Sequence, residues 1–86
     1  MRIEIPSETD PIVGKQIEAK LNDEIKRGQL RWYAYHIPDG LILLSRSFSK
    51  TDPACIGIIC DVQHNVICDF SINSDLNLSL HAITMN

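Results

Sequence analysis

Residues 10–28 read DPIVGKQIEAKLNDEIKRG, the one stretch that commits this chain to a particular element. Val13, Ile17, Leu21 and Ile25 recur every four residues, the spacing of a single stripe along a helix. Asp10 is a good N-cap, and Pro11 suits the first helical position. Lys26 and Arg27 complement the negative end of the helix dipole, and Gly28 fits the residue just beyond the helix. The spacing predicts a helix over 11–27, with Lys15, Glu18, Asp23 and Lys26 facing water. Glu18 can pair with Lys15, and Asp23 with Arg27. Nothing else in the 86 residues reads as a helix, so the rest of the chain must supply strands.

MRIEI alternates Met1, Ile3 and Ile5 with Arg2 and Glu4, a short strand. LRWYAYHIPDGLILLSRSFS reads as a hairpin about Ile37-Pro38-Asp39-Gly40, a type I turn followed by a left-handed glycine, which pairs Ile37 with Leu41. One face then carries Leu30, Trp32, Ala34, Ile42, Leu44 and Phe48, the other Tyr33, Tyr35, Ile37, Leu41 and Leu43. Both are apolar, whereas a hairpin with a solvated face alternates. Trp32 is expected in the core under Val13, Ile17 and Leu21. Residues 49–54 read as a loop broken by Pro53, and SINSD as a turn. Leu76, Leu78, Leu80 and Ala82 then alternate with Asn77, Ser79 and His81, a half-buried strand.

CIGIICDVQHNVICDF holds three cysteines, a histidine and two aspartates in sixteen residues. A hairpin with Gln63-His64-Asn65 as its loop places Cys60 opposite Cys68, Ile58 opposite Phe70 and Ile56 opposite Ile72. Every residue on that face is then apolar or a thiol, so burial selects this register. The cysteines read as core residues. Their spacings match no common zinc pattern, and no C-x-x-C is present. Cys55 and His64 fall at opposite ends of one strand, too far apart for a nucleophile and its base. His36 and His81 are isolated in sequence, and SRSFSKT reads as a polar strand edge before it reads as a phosphorylation site.

The fold expected is α+β: one domain over 1–86, with one N-terminal helix packed on a curved antiparallel sheet of five to six strands, in the order β-α-β-β-β-β-β. That order is similar in topology to cystatin-like folds, whose binding signatures are missing here, so the similarity implies no function. Hydrophobic residues at 44% and charged residues at 22% are ordinary for a globular domain. No apolar run is long enough to span a membrane, and the N-terminus lacks the apolar core of a signal peptide. A cytoplasmic location is expected, consistent with the odd number of cysteines.

The net charge of −3 is unevenly placed. Residues 1–50 carry eight Lys/Arg and seven Asp/Glu; residues 51–86 carry Asp52, Asp61, Asp69 and Asp75 and no cation. That balance argues against direct nucleic-acid binding. No glycine-rich phosphate loop, H-E-x-x-H or G-x-S-x-G is present, and no enzyme class, cofactor or metal is signalled. One helix covers one side of a sheet, so Tyr33, Tyr35, Ile37, Leu41 and Leu43 are the expected interface, for another protein or a second copy in a homodimer. Asp61, Asp69 and Asp75 are the expected contacts for a basic partner. The function expected is a small non-enzymatic interaction module, an inhibitor or adaptor that blocks a partner's surface. Counter-defence proteins of phages and mobile elements share this profile. The alternative is a small-molecule binder with a pocket between helix and sheet, lined by Trp32, Tyr33, Tyr35 and His36.

Overall fold

The computed structural model describes residues 1–45 and 52–82. The elements run β1 (Arg2–Glu4), α1 (Pro11–Arg27), α2 (Arg31–His36), β2 (Leu41–Leu44), β3 (Cys55–Cys60), β4 (Val66–Ile72) and β5 (Leu78–Ala82). The five strands form one open mixed sheet and lie side by side in sequence order. This is an α+β fold, but two expectations fail. The sheet is not wholly antiparallel, because β1 pairs parallel to β2. The segment expected as the first strand of the Trp32 hairpin is a helix. Phe48 and most of SRSFSKT lie outside the described residues.

The helix expected over 11–27 forms over those residues. Asp10 caps it, its Oδ2 accepting from the Ile12 and Val13 amides at 3.1 and 3.2 Å. Val13, Ile17 and Leu21 are buried, and Ile25 is half-buried against the same core. The C-terminus is built differently from expectation. Gly28 is extended (φ −121°, ψ −147°) rather than left-handed. Glu24 instead folds its buried carboxylate over the helix end. Its Oε2 accepts from the Gln29 amide at 2.7 Å, and its Oε1 meets Lys20 Nζ at 3.0 Å. Its backbone carbonyl accepts from the Gly28 and Leu30 amides at 3.0 and 3.1 Å. A Cβ at position 28 would strike the Glu24 carboxylate, so glycine serves here by size. Burial alone would push the Glu24 pKa up; the Gln29 amide and the Lys20 ammonium outweigh it and hold the group below the ordinary value.

α2 follows at once. Leu30, Tyr33, Ala34 and Ile37 fall at helical spacing on its inner side, and Leu30 is fully buried. The sheet explains why this aromatic stretch is not a strand. β2 lies between β1 and β3, so no ladder position is left beside it. The turn closed by the Gly40 amide on the Ile37 carbonyl, at 2.8 Å, therefore joins helix to strand, and Gly40 has no positive φ. Trp32, expected in the core, is 58% exposed.

The helices cover one face of the sheet. Ile42, Leu44, Cys55, Ile59, Cys68, Phe70, Ile72 and Leu78 form one core cluster with Val13, Ile17, Leu21 and Leu30. The β3–β4 register differs by one residue from the expected one. Ile59 lies opposite Cys68, Gly57 opposite Phe70 and Cys55 opposite Ile72, with a bulge between Ile59 and Cys60. Cys60 therefore does not face Cys68, and Ile56 and Ile58 leave the core face. Two constraints set this register. The Phe70 ring fills the space that a Cβ on Gly57 would need. Asp61 pins the turn one residue early, its Oδ1 accepting from the Gln63 and Asn65 amides at 2.9 Å each.

The β4–β5 turn repeats the device. Asn73 Oδ1 accepts from the Asp75 and Asn77 amides at 2.9 Å each. In both turns the fourth residue, His64 or Leu76, takes a left-handed φ of 66° or 63°. Leu76 thus belongs to the turn rather than to the strand, which starts at Leu78.

Two outcomes follow for stability. Because the folded Glu24 pKa is depressed, its contribution is present above the unfolded value. It is lost as pH falls from about 4.3, the ordinary glutamate value, through the lower folded one. Glu24→Gln is expected to lose about 1 kcal/mol at neutral pH and to show a shallower acid limb in urea unfolding from pH 7 to 3. His64→Gly removes the left-handed penalty at an exposed position and is expected to raise stability by about 0.5–1 kcal/mol in the same assay.

Candidate functional site

The outer side of α2 carries Arg31, Trp32, Tyr35 and His36, all exposed. A six-residue helix has little stability of its own, so its inner residues hold it in place. Tyr33 is half-buried, and the neighbouring Cys68 thiol together with burial pushes its phenol pKa up. Its ring meets Trp32 edge-on at 5.1 Å between centroids. His36 stacks on Trp32 at 4.2 Å with a 39° tilt, and Tyr35 meets His36 edge-on at 5.1 Å. Tyr35 itself is 81% exposed. Contacting rings thus present Trp, Tyr and Arg on one surface, the residue types that dominate binding hot spots.

The five residues expected as one interface are separated. Tyr33 and Ile37 turn inward and pack against the core, and only Tyr35 remains on the aromatic surface. Leu41 is buried in β2. Leu43 lies on the sheet face away from the helices, in a row that runs Glu4, Leu43, Ile58, Asp69, His81 across all five strands. Leu43, Ile56, Ile58, Ser71 and His81 help line a groove of about 380 Å³ on this face.

The three aspartates do not share a surface either. Asp61 spends its carboxylate on the turn, where hydrogen bonds from Asn65 and Gln63 hold its pKa below the ordinary range. Asp69 stands opposite His81 on the sheet. Asp75 is exposed in the 73–77 turn, past the far end of β4 from Asp61.

Ser71 Oγ lies 3.3 Å from His81 Nε2, a pair that sequence reading missed because β4 and β5 bring together residues ten apart. With Asp69 beside them the residue types are those of a hydrolytic triad. β4 is flanked by strands on both sides, however, so the amides next to Ser71 are committed to the ladder and none is free to hold an oxyanion. The described residues contain no cluster of three or more His, Cys, Asp or Glu able to hold a metal.

All three cysteines are free and buried. Burial pushes the Cys55 thiol up to about 11. Burial and the neighbouring Asp61 carboxylate raise Cys60. A second cleft of about 510 Å³ lies at the sheet end, between Met1, Arg2, the 38–41 turn and the 61–64 turn. No helix among the described residues is long and apolar enough to cross a membrane. No protein-family model matches the chain, and no curated protein or solved structure is significantly similar to it.

The thiols supply a direct check on this geometry. At pH 8 the native protein is expected to leave all three cysteines unreacted with a thiol reagent, and denaturant is expected to expose them together. A fast-reacting thiol in the native protein would contradict the burial described.

Proposed function

We propose that this chain is a small non-enzymatic protein-interaction module, an inhibitor or adaptor, whose contact surface is the outer side of α2. One observation carries the reading: Trp32 and Tyr35 stand in water on a helix whose inner residues are already packed. An ordinary solvent-facing helix side is polar, and large exposed aromatics set among charged neighbours are the composition of interface centres. Tyr35 is the anchor expected from sequence. Trp32, Arg31 and His36 join it because the segment is helical. The partner is another protein or a second copy of the chain.

The test is a photo-crosslinking amino acid in place of Tyr35, with Asn22 on the solvent side of α1 as the control position. Cross-links from position 35 to one defined protein, or to a second copy, are expected, with none from position 22. Equal cross-linking from both positions, or none from position 35, refutes the surface. Because both side chains are exposed, Tyr35→Glu and Trp32→Ala are expected to change folding stability by no more than about 0.5–1 kcal/mol. Lost capture in those variants then reports lost contact. Trp32 is the only tryptophan, so its native emission is expected to lie close to that of the unfolded chain and to move to the blue in a complex.

The small-molecule alternative cannot use the lining expected between helix and sheet, because Trp32, Tyr35 and His36 face water; a second reading rests instead on the groove lined by Leu43, Ile56 and Ile58, which suits a small apolar ligand. Such a ligand is expected to raise the melting temperature at saturation, and Ile58→Asp is expected to abolish that shift.

A further inference from the structure

The partner's chemistry can be read from the charges around α2. Residues 25–38 contain Lys26, Arg27 and Arg31 and no carboxylate, in a chain whose net charge is −3. Arg27 is bridged to Asp23 at 2.8 Å. Lys26 and Arg31 are exposed, and neither forms an ion pair among the described residues. Arg31 precedes Tyr35 by four residues, one helical turn, and adjoins Trp32, so its guanidinium and both rings share one side of α2. The unpaired guanidinium of Arg31 therefore sits beside the exposed aromatics, with Lys26 in the last turn of α1 just before it in the chain.

We infer that α2 docks an acidic segment of a partner protein, an inference that rests on the interaction reading above. A carboxylate of that segment takes the Arg31 guanidinium, which is shaped for bidentate pairing. A second acid meets Lys26 at the end of α1. An apolar or aromatic side chain between them covers the Trp32 and Tyr35 rings. The number of cations decides against a nucleic acid. Two unpaired cations match a short acidic motif, whereas useful affinity for a phosphate backbone takes several more neutralised phosphates.

The emission of Trp32 is the readout. The intact protein is titrated at low salt with poly-L-glutamate, poly-L-lysine and a thymidine oligonucleotide of matched charge. Poly-L-glutamate is expected to shift or quench the emission, less so as salt rises, with neither other probe matching it. Arg31→Glu is expected to weaken that response at least about tenfold, and Lys26→Glu to weaken it less; circular dichroism verifies that both variants fold. An oligonucleotide response equal to that of poly-L-glutamate overturns the inference in favour of a nucleic acid. A response to poly-L-lysine alone, no response at all, or one unchanged in Arg31→Glu also overturns it. Cross-linking from position 35 then shows separately whether the surface itself still stands: capture of a partner alongside a failed titration keeps the interface and discards its acidic occupant.

Discussion

The parallel pairing of β1 with β2 is the constraint from which the rest of the molecule follows. Arg2, Ile3 and Glu4 take the ladder positions beside Leu41, Ile42 and Leu43. Adjacent parallel strands need a long crossover, and α1 with α2 supplies it. Once β1 holds that position, residues 30–36 cannot form a hairpin with β2, which already lies between β1 and β3. Their backbone hydrogen bonds must be met within the segment, and a short helix meets them. The helical period then sends Leu30, Tyr33 and Ile37 inward and Trp32 and Tyr35 outward. The helical form of the segment thus puts Trp32 and Tyr35 in water.

Glu24 makes the junction possible. A helix end leaves carbonyls and neighbouring amides unpaired, and here the chain must turn into α2 without a left-handed glycine. The Glu24 carboxylate and carbonyl between them take the amides of Gly28, Gln29 and Leu30. Lys20 neutralises the buried charge at 3.0 Å. Breaking such a pair costs more than never having it, because a lone buried carboxylate remains. The position of α2, and with it the surface it presents, depends on this one side chain.

Much of this was legible in the sequence, and the failures share a cause. The limits of α1 were readable because Asp10, Pro11 and the four-residue stripe agree with one another. β4 and β5 were readable because Cys68, Phe70, Ile72, Leu78 and Leu80 alternate with polar residues. The stretch RWYAYH offers no such contrast, since apolar and aromatic residues fill both its alternations. Its β-favouring rings argued for a strand, and only the sheet order settles the matter. The β3 register failed for a related reason: Cys55, Ile56, Ile58, Ile59 and Cys60 are apolar on both sides. What decides it is the Gly57–Phe70 contact and the carboxylate of Asp61, one a long-range fit and the other a side chain that competes for backbone amides. Tyr35 is exposed, as the sequence reading of it on an uncovered face also expected. Trp32 was misassigned because the largest apolar residue was taken to need burial, whereas its position on a short amphipathic helix decides the matter.

The size of the aromatic surface bears on what kind of contact it would make. Covering the exposed parts of Trp32 and Tyr35 would remove on the order of 200–300 Å² from water, given the 150–250 Å² that each such side chain can bury. At about 25 cal/mol per Å² this contributes about 5–8 kcal/mol before the cost of association, which is itself about 4–15 kcal/mol. The rings alone therefore do not hold a partner tightly. Either neighbouring groups add to them or the complex is transient. Under the proposal made above, Arg31, on the same short helix, would be one such addition. Exposed charge pairs contribute little each, but a guanidinium pair that the rings help to shield from water contributes more. The same arithmetic explains why the surface is tolerable on the free protein. Two exposed rings set among polar neighbours are too small a patch to drive non-specific aggregation.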